Sequence, residues 1–319
     1  MKLRIASRGS ALALWQAEHV KARLEGAHAG LSVSIEVIRT TGDRITDVPL
    51  SRIGDKGLFT KEVDAALLDG RAQLAVHSLK DVPTQVSEGL ALGAIALRED
   101  PRDALVVAPG RPATLMELPA GARVGTSSLR RRSQLLHARR DLAVDDLRGN
   151  LDTRLERVAA GEYDAVILAH AGIRRLGRAD AVASLLEPPE WLPAVGQGAL
   201  GIALRADDEE TRAAVAVLDH APSRQATTAE RAFLRRLEGG CQVPIGALAE
   251  VIDGRLRLQG LVASLDGRTV LRGEREGDPE LAEEVGDALA HQLLNEGAGV
   301  ILERIRSLAP ADLPGASPP

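Results

Sequence analysis

Across the first two-thirds of the chain, short apolar runs alternate with segments whose apolar residues recur every three or four positions. Residues 3–7, 31–40, 72–78, 90–97 and 104–109 read as strands, and 11–26 and 58–70, each closing near a glycine, read as helices. That alternation predicts α/β organisation. The pattern then starts again. ARVGTSS (122–128) leads into LRRRSQLLHARR (129–140), LDTRLERVAAG (151–161) is helical, and YDAVILAH (163–170) runs into AGIRRLG (171–177), which predicts a second α/β unit. Residues 199–207 read as a strand that returns to the first unit.

From residue 227 the character changes. TTAERAFLRRLEGG (227–240) predicts a capped helix closed by two glycines. The Asp253-Gly254 and Asp266-Gly267 pairs separate alternating runs and predict an antiparallel meander. A long helix is expected over about 279–306, followed by a Pro-rich tail that reads as disordered. No internal repeat of short fixed period is found.

Composition narrows the function classes. A chain of 319 residues, 45% apolar and 27% charged, suits two or three folded domains. Its five aromatics leave packing to Leu, Val, Ile and Ala and provide few platforms for stacking bases. The net charge is −5, yet residues 121–178 hold 12 basic against 7 acidic side chains. One Arg-rich segment within an acidic protein suits a small polyanion better than a long nucleic-acid backbone, although each arginine alone also reads as a solvated face. Cys241 is the single cysteine, so no internal disulfide and no thiol-based zinc ribbon forms, and a reducing compartment fits. The N-terminus shows no apolar h-region of a secretory signal, and no run of 18 apolar residues is present to span a membrane.

Several short motifs carry candidate chemistry. In IASRGSALAL (5–14) and VGTSSLRRRSQL (124–135) a hydroxyl residue sits where a helix N-cap belongs, beside Arg8 and beside Arg130 and Arg131. Unpaired helix-start N–H groups there suit an anion, though a cap alone explains the residue types. VHSLKDVP (76–83) places His77, Ser78, Lys80 and Asp81 just past a strand end. Asp81 beside a lysine is expected to be ionised, able to accept N–H bonds or stabilise a cation; an ion pair in a surface loop is the other reading. GDKGLFTK (54–61) lacks phosphate-loop spacing and reads as a flap. GQGALG (196–201) matches a dinucleotide fingerprint in letters, but a strand-like run follows where a helix is required, so a nicotinamide site is rejected. Cys241 in LEGGCQVPIG is either an inert small residue or a nucleophile or covalent attachment point. The seven histidines show no ligand spacing, and no metal site is expected.

Taken in order, IASRGSALALWQA, GDKGLFTKE, AVHSLKDVP, REDPRDA, GTSSLRRRSQL, LRGNLDTRL, YDAVILAHAGIRRLG, LPAVGQGALGI and LEGGCQVPIG resemble the porphobilinogen deaminase (hydroxymethylbilane synthase) family from residue 3 to about 306. The resemblance implies two type II periplasmic-binding-protein-like α/β lobes plus a smaller α+β C-terminal domain. The implied boundaries are 1–98 with 198–219, then 99–197, then 220–319 with its disordered tail. It also implies a transferase of tetrapyrrole and heme biosynthesis that carries a dipyrromethane cofactor as a thioether on Cys241. Such enzymes condense four porphobilinogen molecules onto that cofactor with loss of ammonia and release hydroxymethylbilane by hydrolysis. Each pyrrole brings two carboxylates, which accounts for a bank of fork-shaped guanidinium donors.

Residue by residue, Asp81 matches the catalytic aspartate that accepts pyrrole N–H bonds and stabilises the cation left when ammonia departs. Arg8, Ser10, Lys80, Arg130, Arg131, Arg148, Arg154 and Arg175 match positions that hold cofactor and substrate carboxylates. Thr126, Ser127, Ser128, Asn150 and Gly198 match the polar frame around them, and Ser78 and Gln197 join the binding set. Lys56 and Phe59 match a flap over residues 44–60. Arg52 stands where the family pattern has lysine, and Gly9 where it has a larger polar residue. The family implies a cytoplasmic monomer acting on a small molecule, without nucleic acid or membrane. A non-enzymatic anion-binding module with a structural Cys241 remains the competing reading.

Overall fold

Strand β1 (Lys2–Arg8) buries Leu3 and Ile5, and Ser10 ends it by accepting the Ala13 N–H (3.3 Å) as the cap of helix α1 (Ala11–Ala27). The computed structural model describes residues 1–44, 60–237 and 243–308. The first sheet has the order β2 (Ser32–Ile38), β1, β3 (Leu74–Ser78), β10 (Leu200–Arg205), β4 (Leu90–Ile95). β1 runs parallel to β2 and β3, and β10 is antiparallel to both its neighbours. Helix α2 (Lys61–Leu68) covers this sheet through Val63, Ala66 and Leu67.

The second sheet repeats the plan. Its order is β7 (Ala143–Asp145), β6 (Arg123–Gly125), β8 (Ala165–Ala169), β5 (Asp103–Val107), β9 (Ser184–Leu186), with β6 parallel to β7 and β8 and β5 antiparallel to β8 and β9. Helices α3 (Leu129–Ala138), α4 (Leu151–Ala159) and α5 (His170–Arg175) follow β6, β7 and β8, and helix α6 (Glu209–Val215) follows β10 of the first sheet. The antiparallel strand of each sheet arrives directly from the other lobe: β5 follows β4, and β10 follows β9. Two crossing segments therefore lie side by side, with Ala96 N donating to Leu200 O (3.0 Å) and Glu99 N to Gly198 O (3.2 Å). Gly198 has φ +88°, and a Cβ there would fall 2.2 Å from Glu99 O, so glycine alone permits this approach. This is the role of GQGALG, and strand β10 follows it, as the sequence reading required.

The third unit packs helix α7 (Ala221–Arg236) and helix α8 (Ala282–Asn295) on the antiparallel sheet β11 (Ile245–Ile252), β12 (Arg255–Ala263), β13 (Val270–Gly277) around Phe233, Leu258 and Leu289. Asp253 (φ 51°) and Gly254 (φ 74°) make the two-residue hairpin turn expected of that pair. Asp266-Gly267 instead lies in the loop between Ala263 and Val270, where the His137 ring Nδ1 of α3 lies 3.0 Å from Gly267 O.

Two expectations shift. Helix α7 starts at Ala221, before residue 227, because His220 accepts the Ser223 N–H (3.3 Å) as cap and Pro222 occupies the first turn. Thr227 lies inside the helix and donates its hydroxyl to Ser223 O (2.7 Å). The helix expected over 279–306 is divided. A 3-10 turn (Pro279–Leu281) precedes α8, and Gly297 (φ 106°) separates α8 from α9 (Ala298–Arg306). The sequence pattern shows no strand at β9, because three residues are too few to show a period. The predicted tail beyond residue 308 lies outside the described residues.

Candidate functional site

The two lobes present the C-terminal ends of their parallel strands to one another, the edge at which α/β sheets place ligands. On the first lobe β1 ends at Arg8 and β3 at Ser78. A small cleft opens between these strand ends, lined by Arg8, Ser10, Gln16, Thr60, His77, Ser78 and Asp81. Asp81 closes a single 3-10 turn (Leu79–Asp81) that leaves β3, so the turn carries its carboxylate to the strand end. Gln16 donates Nε2 to Ser78 Oγ (2.9 Å), fixing the serine. Burial, and then the neighbouring Arg8, lowers the His77 pKa to about 4, so this ring is neutral at physiological pH.

The second lobe supplies cations. Thr126 Oγ1 accepts Ser128 N–H (3.2 Å) and Ser128 Oγ accepts Arg131 N–H (3.4 Å), so these hydroxyls form the α3 cap expected from the sequence. Ser127 instead donates to Leu147 O (2.9 Å), fastening the segment that leads to Arg148. Arg130 and Arg131 are buried on Asp103, each with a contact of 2.7 Å. Arg154 donates Nε to Gly149 O (2.9 Å), and burial, with Arg131 and Arg148 close by, lowers its pKa to about 10. Burial likewise lowers Arg148. Asn150 stands at the α4 N-cap with an exposed side chain that makes no cap hydrogen bond.

Residues of the crossing segments join the two walls. Lys80 donates Nζ to Gln197 Oε1 (3.4 Å), and Gln197 donates Nε2 to Pro101 O (2.7 Å) and Asp103 Oδ1 (2.9 Å). Burial lowers the Lys80 pKa to about 8 despite Asp81 beside it. Arg175 donates Nη2 to Gly198 O (2.6 Å), and its guanidinium carbon lies 6.0 Å from the centroid of the Trp15 ring on α1, bridging the lobes. Burial lowers the Arg175 pKa to about 10. Lys80, Arg154 and Arg175 are thus desolvated cations, the first two within electrostatic reach of the Asp81 carboxylate.

The sequence-read residues Arg8, Ser10, Ser78, Lys80 and Asp81 thus meet on one side, and Thr126, Ser127, Ser128, Arg130, Arg131, Arg148, Asn150 and Arg154 on the other, with Arg175, Gln197 and Gly198 between. Lys56, Phe59, Arg52 and Cys241 lie outside the described residues. At Gly9 a Cβ would come 3.2 Å from Val37 Cγ1, so the small residue fits its β2 neighbour. Sequence reasoning missed Gln16, Thr60 and Asp103. Gln16 has a signal, a polar side chain on the apolar face of α1 beside the buried Ala17 and Val20.

A surplus of buried cations suits a ligand with several carboxylates, the donor chemistry that a carboxylate-bearing dipyrromethane requires. Comparison with known proteins agrees. The family model described as porphobilinogen deaminase, dipyromethane cofactor binding domain, matches residues 3–213, and that of the porphobilinogen deaminase C-terminal domain matches 225–295. The porphobilinogen deaminase of Syntrophobacter fumaroxidans is 51% identical over 303 residues, covering 95% of this chain and 97% of that one. The porphobilinogen deaminase of Nitratidesulfovibrio vulgaris strain Hildenborough is 54% identical over 310 residues, covering 97% and 98%. Among solved structures, the periplasmic VFT2 domain of Bordetella pertussis BvgS is similar with a TM-score of 0.41 and 17% identity, over 68% of this chain and 86% of that domain.

Proposed function

Because this chain belongs to the porphobilinogen deaminase family, we propose that it condenses four porphobilinogen molecules, with loss of ammonia at each step, into a chain released as hydroxymethylbilane. The observation that carries this reading is the gathering of buried cations, with Lys80 and Arg154 within electrostatic reach of Asp81, Arg130 and Arg131 beside them on Asp103, and Arg175 on the crossing segment.

The cofactor is a dipyrromethane, which supplies the pyrrole terminus that is extended. Cys241 is its proposed attachment point. Arg130, Arg131, Arg148 and Arg154 would hold its carboxylates, since fork-shaped donors grip carboxylates in two places. Arg8, Ser10 and Ser78 would orient the incoming substrate's carboxylates beside Asp81. The Asp81 carboxylate accepts the N–H of the reacting pyrrole and stabilises the positive charge that develops on the substrate as ammonia leaves; a fixed anion at that place lowers the barrier electrostatically. Lys80 supplies a cation beside Asp81 whose charge is lost as pH rises through about 8. Thr126, Ser127, Ser128, Asn150, Gln197 and Gly198 frame the arginines.

The domains are proposed as 1–98 with 198–219, then 99–197, then 220–319; the exchange of β5 and β10 between the two sheets supports the first two. Lys56 and Phe59 are proposed to act from a flap over the cleft. A cytoplasmic monomer is proposed, the single thiol suiting a reducing compartment. The test is incubation of the purified chain with porphobilinogen. Release of one ammonia per substrate consumed and appearance of a linear tetrapyrrole are expected. Substrate binding without ammonia release would instead favour an anion-binding module.

A further inference from the structure

Asp103 is the first residue of β5, and its side chain is fully buried. Its Oδ2 accepts from Arg130 Nη1 (2.7 Å) and Trp191 Nε1 (2.8 Å), and its Oδ1 from Arg131 Nε (3.2 Å), Arg131 Nη2 (2.7 Å) and Gln197 Nε2 (2.9 Å). A carboxylate offers about four lone-pair sites, so this one is saturated and has no capacity left for a ligand. Burial alone would push the carboxyl pKa up, but Arg130 and Arg131 outweigh it and hold it well below the usual range. Asp103 is therefore a permanent anion that does not touch substrate.

What it touches is the cation wall. Arg130 and Arg131 are consecutive in the first turn of α3, and two buried guanidiniums so close repel each other. The shared carboxylate turns both to one side. Backbone carbonyls complete the brace: Arg130 Nη1 donates to Leu192 O (2.9 Å) and Arg131 Nη1 to Ile167 O (2.9 Å). Gln134, one turn along α3, holds Leu192 by a pair of bonds of 2.8 and 3.0 Å. These contacts engage three of the five N–H groups of Arg131 and leave two. Through Gln197 the same carboxylate reaches Lys80, the residue before Asp81.

We infer that Asp103 is a positioning residue for the reaction, holding Arg130 and Arg131 in the rotamers from which their remaining N–H groups meet pyrrole carboxylates, and tying them through Gln197 to the Lys80–Asp81 turn. The inference rests on the proposed reading of those arginines as carboxylate holders. It predicts that losing the Asp103 charge acts on ligand capture through Arg131 and does more than loosen the fold.

The test compares wild type, Asp103→Asn, Arg131→Leu and the double variant. Readouts are the thermal midpoint, the mass gained when cofactor-free chain is incubated with porphobilinogen, KM and kcat. Asp103→Asn should fold, load roughly tenfold more slowly and raise KM about tenfold, with a smaller change in kcat. The double variant should be within about twofold of Arg131→Leu, because coupled residues are not additive. In a Trp15→Phe background the emission of Trp191, which loses its charged acceptor, should shift in Asp103→Asn.

Loading and KM within about twofold of wild type in a folded Asp103→Asn would overturn the inference, as would effects that multiply independently with Arg131→Leu. If Asp103→Asn does not fold, Asp103→Glu decides: moving the carboxylate by one methylene should raise KM at least about fivefold, and a wild-type KM overturns the inference. A wild-type chain that neither loads nor turns over defeats the proposed function and this inference together. An active wild type with an indifferent Asp103→Asn defeats the inference alone.

Discussion

The guanidinium of Arg98 meets the carboxylate of Glu230 through hydrogen bonds of 2.6 and 3.2 Å, joining the first crossing segment to helix α7 of the third unit. Glu230 is completely buried and also accepts from Gly196 N (2.7 Å) and Ala249 N (2.8 Å), so one carboxylate fastens both crossing segments to the sheet of the third unit. Removing one partner of a buried pair leaves the other charge uncompensated. Glu230→Gln is expected to cost about 3–5 kcal/mol and to lower the thermal midpoint clearly. A wild-type midpoint would remove this pair from the account of how the units are joined.

Asp81 ends the turn after β3 and lines the cleft. Asp81→Ala should reduce turnover about a hundredfold or more while leaving the melting transition in place, the scale set by removing one fixed electrostatic stabiliser. Steady-state ammonia release is the readout, and near-normal activity would take Asp81 out of the mechanism.

Lys80 is expected to give activity an alkaline limb. Burial lowers its pKa from 10.5 to about 8, so in the free protein its positive charge disappears as pH rises through about 8. kcat/KM for a carboxylate substrate should therefore fall through that pH, and Lys80→Arg should carry the limb to higher pH. Stability runs the other way. Between about 8 and 10.5 the unfolded chain keeps a proton that the folded chain has released, so Lys80 destabilises less as pH rises. An unchanged limb in Lys80→Arg contradicts the assignment.

His77 acts on the acid side. Its pKa is lowered from 6.5 to about 4, first by burial and then by Arg8, so between those values the unfolded chain binds a proton that the folded chain excludes. Stability is lost as pH falls through that window, by about 3 kcal/mol for a shift of this size. Chemical denaturation of wild type and His77→Gln at pH 7 and pH 4 should show this difference between them. Parallel losses in both proteins would contradict a neutral His77.

Much of the cleft was legible in the sequence because its residues sit at strand ends and helix caps, where local pattern and turn chemistry act. Ser10 and Ser128 are examples, each capping a helix within three residues of itself. What pattern cannot show is pairing over distance. Asp103 is satisfied by residues 27, 28, 88 and 94 positions away, and Gln16 by a serine 62 positions away. Nor does periodicity expose a break such as Gly297, whose positive φ divides α8 from α9 while the apolar spacing continues. The start of α7 was misplaced for a related reason, since a histidine cap lies outside the usual Ser, Thr, Asp and Asn signals.

The covalent pyrrole chain proposed on Cys241 would be visible in the intact mass of the purified protein. An excess over the sequence mass equal to two linked pyrrole units, mapped to the peptide containing Cys241, is expected, or the same gain once porphobilinogen is added to an unloaded chain. A mass that matches the bare sequence both before and after incubation with porphobilinogen, with no product formed, would contradict it.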